Sequence, residues 1–237
     1  MYFAGLLKQS LVDYPGKICS VLFTEGCNFR CGFCQNKNLV EPALFHLNNH
    51  LDEDSILAFL EKRKNFIEAI TITGGEPTLH PELLSFISKV KNLGFAVKLD
   101  TNGTNPKMLE SLIKKGLIDY VAMDIKAPLD YQKYKDLTGN IISSAMFSDI
   151  LHSLKLILDA PESIFKEFRT TLIKEKHPLE DITDIAEAIK GCHRYALQSF
   201  RSSTVLSPEY SEFSPYSEQE MQEIARKISS IVNVVVR

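Results

Sequence analysis

The sequence predicts an α/β fold, a partial (β/α)6 barrel formed by one domain over residues 1–237, and three observations predict it. From residue 17 to the end, short β-like apolar runs alternate with longer stretches of helical periodicity, the pattern of βα units. No internal repeat, low-complexity block or Pro/Gly/Ser linker divides the chain. Unusual polar and glycine-bearing segments recur just after the expected strands, at the rim where parallel α/β folds bind ligands.

In order, strands are expected at Ile18–Phe23, Ala69–Thr73, Ala96–Leu99, Tyr120–Asp124, Phe165–Leu172 and Tyr195–Phe200, with a last one at Val232–Val236. Helices are expected at Asp52–Arg63, Pro81–Asn92, Pro106–Lys115, Ser144–Asp159, Leu179–Lys190 and Ser217–Ile231. Asn92-Leu93-Gly94 and Lys115-Gly116 read as stop signals. Six successive strands suit a partial barrel better than a closed eight-stranded one.

With 44% hydrophobic residues, the chain can bury a substantial core. Lys and Arg total 27 against 30 Asp and Glu, so no global positive field points to nucleic acid or an anionic membrane. Apolar runs fall far short of the ~20 residues of a membrane span, and Met1–Ser10 lacks the pattern of a secretion signal. A soluble, cytoplasmic protein is expected. Lys62-Arg63-Lys64 reads as a solvated helix end, where positive charge suits the helix dipole.

Three of the five cysteines fall within eight residues, an arrangement ill suited to a disulfide framework and better suited to a metal site in a reducing compartment. Cys19 and Cys192 read as ordinary buried residues. Cys27, Cys31 and Cys34 supply three soft thiolates from one loop, which suits zinc or an iron–sulfur cluster. Structural zinc takes four protein ligands, and His46 and His50 are the nearest candidates for a fourth, although nothing ties them to the cysteines. An electron-transfer cluster also normally takes four cysteines. A three-cysteine loop leaves one iron open to an outside ligand.

The C-x3-C-x2-C spacing resembles that of the radical S-adenosylmethionine superfamily. Val12–Lys17, followed by Phe23-Thr24-Glu25-Gly26-Cys27-Asn28-Phe29-Arg30-Cys31, resembles the opening of activating proteins for anaerobic ribonucleoside-triphosphate reductase, and the resemblance runs through essentially the whole chain. It implies a 4Fe-4S cluster on the three cysteines. Its open iron chelates S-adenosyl-L-methionine, and an electron from the cluster releases a 5′-deoxyadenosyl radical. Related activating proteins often carry Pro after the second cysteine and His after the third, whereas this chain has Gly32 and Gln35. Gln35 keeps hydrogen-bonding capacity but cannot titrate.

The resemblance also assigns roles along the rim. Phe33 falls where the superfamily keeps an aromatic residue beside the adenine, or is a hydrophobic cover for the cluster. Gly74, Gly75 and Glu76 match the glycine motif that receives the methionyl amino group; by themselves they would read as a tight strand-to-helix turn. Asp100 and Asp124 end neighbouring strands and would repel unless something positive lies between them. The cofactor's sulfonium or a monovalent cation held by both would serve. Asp100, Asn102 and Gly103 also read as turn chemistry. Lys126 pairs with the cofactor's carboxylate or with Asp124, and Arg169 sits near the ribose or carboxylate or in a structural ion pair. Gln198 and Arg201 face the adenosyl group, a substrate peptide or solvent.

The expected function is generation of a glycyl radical on a partner, with anaerobic ribonucleoside-triphosphate reductase best matched and a flavodoxin or ferredoxin as reductant. The alternatives are a small-molecule radical enzyme, such as a 7-carboxy-7-deazaguanine synthase-like protein, and a non-catalytic iron–sulfur or zinc-binding module. The segment from Ser202 to Tyr216 reads as a partner-docking loop or a packed irregular connection.

Overall fold

The structure is a computed structural model that describes residues 1–237. The strands are β1 (Tyr2–Phe3), β2 (Gly5–Ser10), β3 (Cys19–Thr24), β4 (Leu51–Asp52), β5 (Ala69–Gly74), β6 (Ala96–Thr101), β7 (Tyr120–Asp124), β8 (Phe165–Leu172), β9 (Arg194–Ser199) and β10 (Val234–Val236). The helices are α1 (Lys37–Val40), α2 (Glu53–Arg63), α3 (Leu83–Asn92), α4 (Pro106–Lys114), α5 (Tyr131–Leu137), α6 (Ser144–Leu158), α7 (Leu179–Ala188) and α8 (Glu218–Ile228). One sheet runs β10-β9-β8-β7-β6-β5-β3-β2, and β1 pairs separately with β4.

From β3 through β10 every pair is parallel, whereas β2 pairs antiparallel with β3. The outermost strands, β2 and β10, do not pair with each other, so the barrel stays open. The α/β partial-barrel expectation holds: six successive parallel strands form its body, β10 adds a seventh and β2 flanks it. Neither β2 nor α5 was anticipated. β2 is an edge strand whose residues 7–9 are all exposed, so it lacks the alternation that marks a half-buried strand. In α5 only Tyr134 and Leu137 are buried, too few for a visible period.

Side-chain alternation along the strands builds two cores. Leu22, Ile72, Leu99, Val121, Phe168 and Leu197 face the helices and belong to the large core. Cys19, Val21, Ala69, Tyr120 and Ala122, with Tyr14, fill the inner face. There Tyr14 meets Tyr120 edge-on, with centroids 5.4 Å apart, and Tyr120 stacks on Phe165 at 4.7 Å. These rings close the end of the barrel opposite the strand tips.

Most helix starts are fixed by side-chain caps that satisfy otherwise orphaned backbone N–H groups. Asp52 accepts from Ser55 N, Asn105 from Met108 N with Pro106 at the first turn, and Ser143 from Met146 N. Ser217 and Glu220 form a reciprocal capping box on α8. Pro77–Leu79 forms a 3-10 turn, so α3 starts at Leu83, later than the expected Pro81.

Candidate active site

The three cysteines lie on the loop leaving β3 and turn inward over the rim. All are free thiols: Cys31 is buried, and Cys27 and Cys34 are half-buried. Cys34 N–H donates to Cys31 O at 2.9 Å, closing a tight turn. Phe29 N–H lies 3.4 Å from Cys27 Sγ, the kind of donor that supports a thiolate. Burial pushes the Cys27 thiol up to about 11 and the Cys31 thiol up to about 12.

The loop is braced from two sides. Asn102 Nδ2 donates to Asn28 Oδ1, Asn28 Nδ2 donates to Thr104 Oγ1, and Thr104 donates back to Asn102 Oδ1, at 2.7–2.8 Å. On the other side, Arg30 N–H donates to Thr138 O at 3.0 Å, and a Cβ on Gly139 would lie 2.4 Å from Arg30 O. Asn102 therefore spends most of its side-chain capacity on the protein.

Gly74 and Gly75 serve a close backbone approach, although the partner is the chain itself. A Cβ on Gly75 would meet Gly26 O at 2.0 Å, and Gly74, at φ +122°, would meet Thr24 backbone at 2.4 Å. Gly75 N–H donates to Thr24 O and Glu76 N–H to Gly26 O. The Glu76 carboxylate is 1% exposed. It accepts from Thr101 Oγ1 at 2.7 Å, Asn102 N at 2.6 Å, and both the N–H and hydroxyl of Thr78. Three of those donors reach Oε1 and one reaches Oε2, which keeps accepting capacity. The sequence reading made Glu76 a supporting acceptor for the cofactor; in the structure it lines the cavity and also braces the β5 loop against the β6 loop.

Between Asp100 and Asp124 lies Arg169. Its Nε is 2.7 Å from Asp124 Oδ1 and its Nη1 2.8 Å from Asp100 Oδ2. Lys126 Nζ sits 3.0 Å from Asp124 Oδ2, and Lys98 Nζ 2.8 Å from Asp100 Oδ1. The position that the sequence reading left for a monovalent cation is thus bridged by a guanidinium. Asp124 and Arg169 are direct neighbours in the β7–β8 register, which is why one side chain reaches both carboxylates. Burial opposes ionisation of both aspartates, but Arg169, then Lys126 for Asp124 and Lys98 for Asp100, hold both carboxyls below the ordinary value. Burial likewise opposes charge on Lys126, and Asp124 and Cys31 more than offset it, so its pKa is raised. Three cations thus interleave with two carboxylates in one chain of ion pairs.

These groups surround a cavity of about 310 Å³ that is lined by every residue anticipated for the site except Arg201. That volume falls in the ~300–1,000 Å³ range of small-molecule sites. Arg201 is exposed because Phe200, at 2% exposure, turns into the core just before it; only its carbonyl takes part, accepting from Gln35 Nε2 at 3.2 Å. Thr73, Thr101, Thr171 and Ser199 also line the cavity and were not anticipated. Thr171 lies two residues after Arg169 on one strand, so alternation could have found it. The same parity, two residues before Asp100, marks Lys98.

The donor set fits an iron–sulfur cluster better than a single ion. No three His, Cys, Asp or Glu groups converge closely enough to hold one metal ion. His50 lies 3.1 Å from Glu25 instead. Three thiols from one loop, spread too widely for one ion and with no fourth protein donor, suit a four-iron cube with one open corner.

A parallel half-open barrel with such a loop at its rim defines an iron–sulfur enzyme of the barrel class. The model of the Radical SAM superfamily matches residues 21–189, and the chain belongs to that superfamily. Its cofactors are a 4Fe-4S cluster and S-adenosyl-L-methionine. It is 35% identical over 240 residues to a Methanocaldococcus jannaschii protein named as a candidate glycyl-radical enzyme activating enzyme, covering 99% of this chain and 95% of that one. It is 29% identical over 199 residues to the pyruvate formate-lyase-activating enzyme of Clostridium pasteurianum, covering 82% of this chain and 79% of that one. The crystal structure of QueE from Escherichia coli shares the fold, with a TM-score of 0.59 at 16% identity, covering 100% of this chain and 93% of that one. No helix is long and apolar enough to cross a membrane.

Proposed function

We propose that this chain, working in the reducing cytoplasm, generates a glycyl radical on a partner enzyme, and that the partner is anaerobic ribonucleoside-triphosphate reductase. The near full-length match to the M. jannaschii protein carries the reading. The choice of reductase rests on the likeness of Val12–Lys17 and Phe23–Cys31 to its activators. When bound, the cluster would supply the electron for reductive cleavage of S-adenosylmethionine, the chemistry from which a glycyl radical would be generated.

The chain's own residues hold and shield that chemistry. Cys27, Cys31 and Cys34 would hold the cluster through their thiolates. Arg169 spends two of its five N–H groups on the aspartates, and with Lys126 it would offer its remaining donors to the cofactor's carboxylate. Gly74 and Gly75 would present backbone to the cofactor's amino group, Phe33 would cover the adenine side and Gln198 would meet the adenosyl group. Asp100, Asp124, Asn102 and Glu76 position these groups.

The test is to incubate the iron- and sulfide-reconstituted protein with the reductase, reduced flavodoxin or ferredoxin, and S-adenosylmethionine. A glycine-centred doublet in the electron paramagnetic resonance spectrum is expected on the reductase. Formation of 5′-deoxyadenosine with no doublet on any glycyl-radical partner would redirect the radical to a small molecule.

A further inference from the structure

The segment after β9 returns across the cluster loop. Pro208–Glu212 forms a 3-10 turn in which Tyr210 alone is buried, at 5% exposure, while Glu209, Ser211 and Glu212 are exposed. The Tyr210 ring lies on Gly32, between Cys31 and Cys34: a Cβ there would sit 2.2 Å from one ring carbon and 2.3 Å from the next. Ser207 N–H donates to Gly32 O at 2.9 Å, so the segment holds the loop backbone as well as covering it. Phe33 and Phe213 flank the ring, with centroids 6.0 and 5.0 Å away. Farther along, Ser214 N–H donates to the Glu175 carboxylate at 3.0 Å, and Tyr216 OH donates to His177 O at 2.7 Å. The segment is anchored on both sides of Tyr210, and the tyrosine hydroxyl has no protein partner.

We infer that Tyr210 is a positioning residue for the cluster: its ring, seated on Gly32, fixes the Cys31–Cys34 turn and keeps solvent off that side of the metal site. Only a residue without Cβ admits this contact, which gives a physical reason for glycine at position 32. The inference rests on the cluster assignment and not on the identity of the radical's recipient. Its consequences follow from dielectric and access. Reduction adds negative charge to an already anionic thiolate cluster, and an apolar cover disfavours that charge, so the cover lowers the reduction potential. The same cover slows attack by oxygen and loss of iron.

The experiment compares Tyr210→Ala, Tyr210→Phe and Gly32→Ala with the unaltered reconstituted protein. It reads iron content, the rate at which visible cluster absorbance bleaches in air, and the midpoint potential by spectroscopic redox titration without substrate. Tyr210→Ala should bleach several-fold faster and shift to higher potential, whereas Tyr210→Phe should match the unaltered protein. Gly32→Ala should resemble Tyr210→Ala, and the double variant Gly32→Ala/Tyr210→Ala should be no worse than either, because the two act through one contact. Thermal melting of the metal-free proteins checks folding. If Tyr210→Ala melts early, Tyr210→Leu, which keeps an apolar cover, should restore the bleaching rate. The inference is overturned if folded Tyr210→Ala keeps the original bleaching rate and potential, or if Tyr210→Phe behaves like Tyr210→Ala. Failure of the unaltered protein to take up iron would refute the cluster assignment itself.

Discussion

At the scale of the residue, the chemistry is concentrated in a few groups whose partners are explicit. Replacing Cys27, Cys31 or Cys34 by Ala should abolish 5′-deoxyadenosine formation and cut bound iron, as read by chromatography and iron analysis. Cys192→Ala, on a thiol that does not line the cavity, should change neither. Arg169→Met should be among the costliest single changes, because it strips both aspartates of their shared cation and leaves two buried anions facing each other. Breaking such a pair costs about 3–5 kcal/mol, measurable by denaturant unfolding of the metal-free protein. The three cysteines were legible from spacing, as were Asp100, Asp124 and Arg169 as charged residues at or near strand ends. Their mutual bonding was not, because side chains 45 and 69 positions apart in sequence meet only through strand register. Glu76 shows the same limit: the sequence placed it at the rim, but its four donors come from three residues of its own and the neighbouring loop, a bracing role that no local pattern records.

At the scale of the element, the site is a set of loops leaving parallel strands, and it stays in shape because those loops are tied to one another. The β5 loop lies against the β3 loop at distances only glycine permits. Gly75→Ala would drive a methyl into Gly26 O, which is backbone and cannot rotate away. A loss of about 1–3 kcal/mol is expected from such overpacking, together with poor iron retention, since Gly26 directly precedes Cys27. Thermal melting and iron content of the reconstituted variant measure the two effects. Elements with a clear period or cap, such as α2, α4, α6 and α8, were visible in the sequence. β2 was not, because an edge strand with three successive exposed residues lacks alternation, and α5 was not, because one short turn of burial sets no period. The segment from Ser202 to Tyr216 reads in the sequence as partner docking or packing; in the structure Val205 and Tyr210 are buried, Tyr210 against the cluster loop, while much of the rest stays exposed.

At the scale of the molecule, an inward-facing file of charge, Lys98–Asp100–Arg169–Asp124–Lys126, ties the barrel's stability to pH. Both aspartates are held below the ordinary value of 3.8, so the unfolded chain binds more protons than the folded one below that pH. Their contribution is fully present above about pH 5 and is lost as the pH falls below the ordinary aspartate value. The melting temperature of the metal-free protein should therefore drop steeply in that acid range, and Asp124→Asn should melt lower at neutral pH with a shallower acid drop. The sequence by itself determined the fold class, the order of most strands and helices, the metal-binding loop and the rim on which the chemistry sits, because those follow from periodicity, spacing and the geometry of parallel strands. Only the tertiary structure decided which rim groups bond to one another, that Arg169 stands between the aspartates, and that Tyr210 rests on Gly32. Hydrogen-bonding capacity and the space a Cβ needs are spent on partners remote in sequence, and no local pattern records that spending.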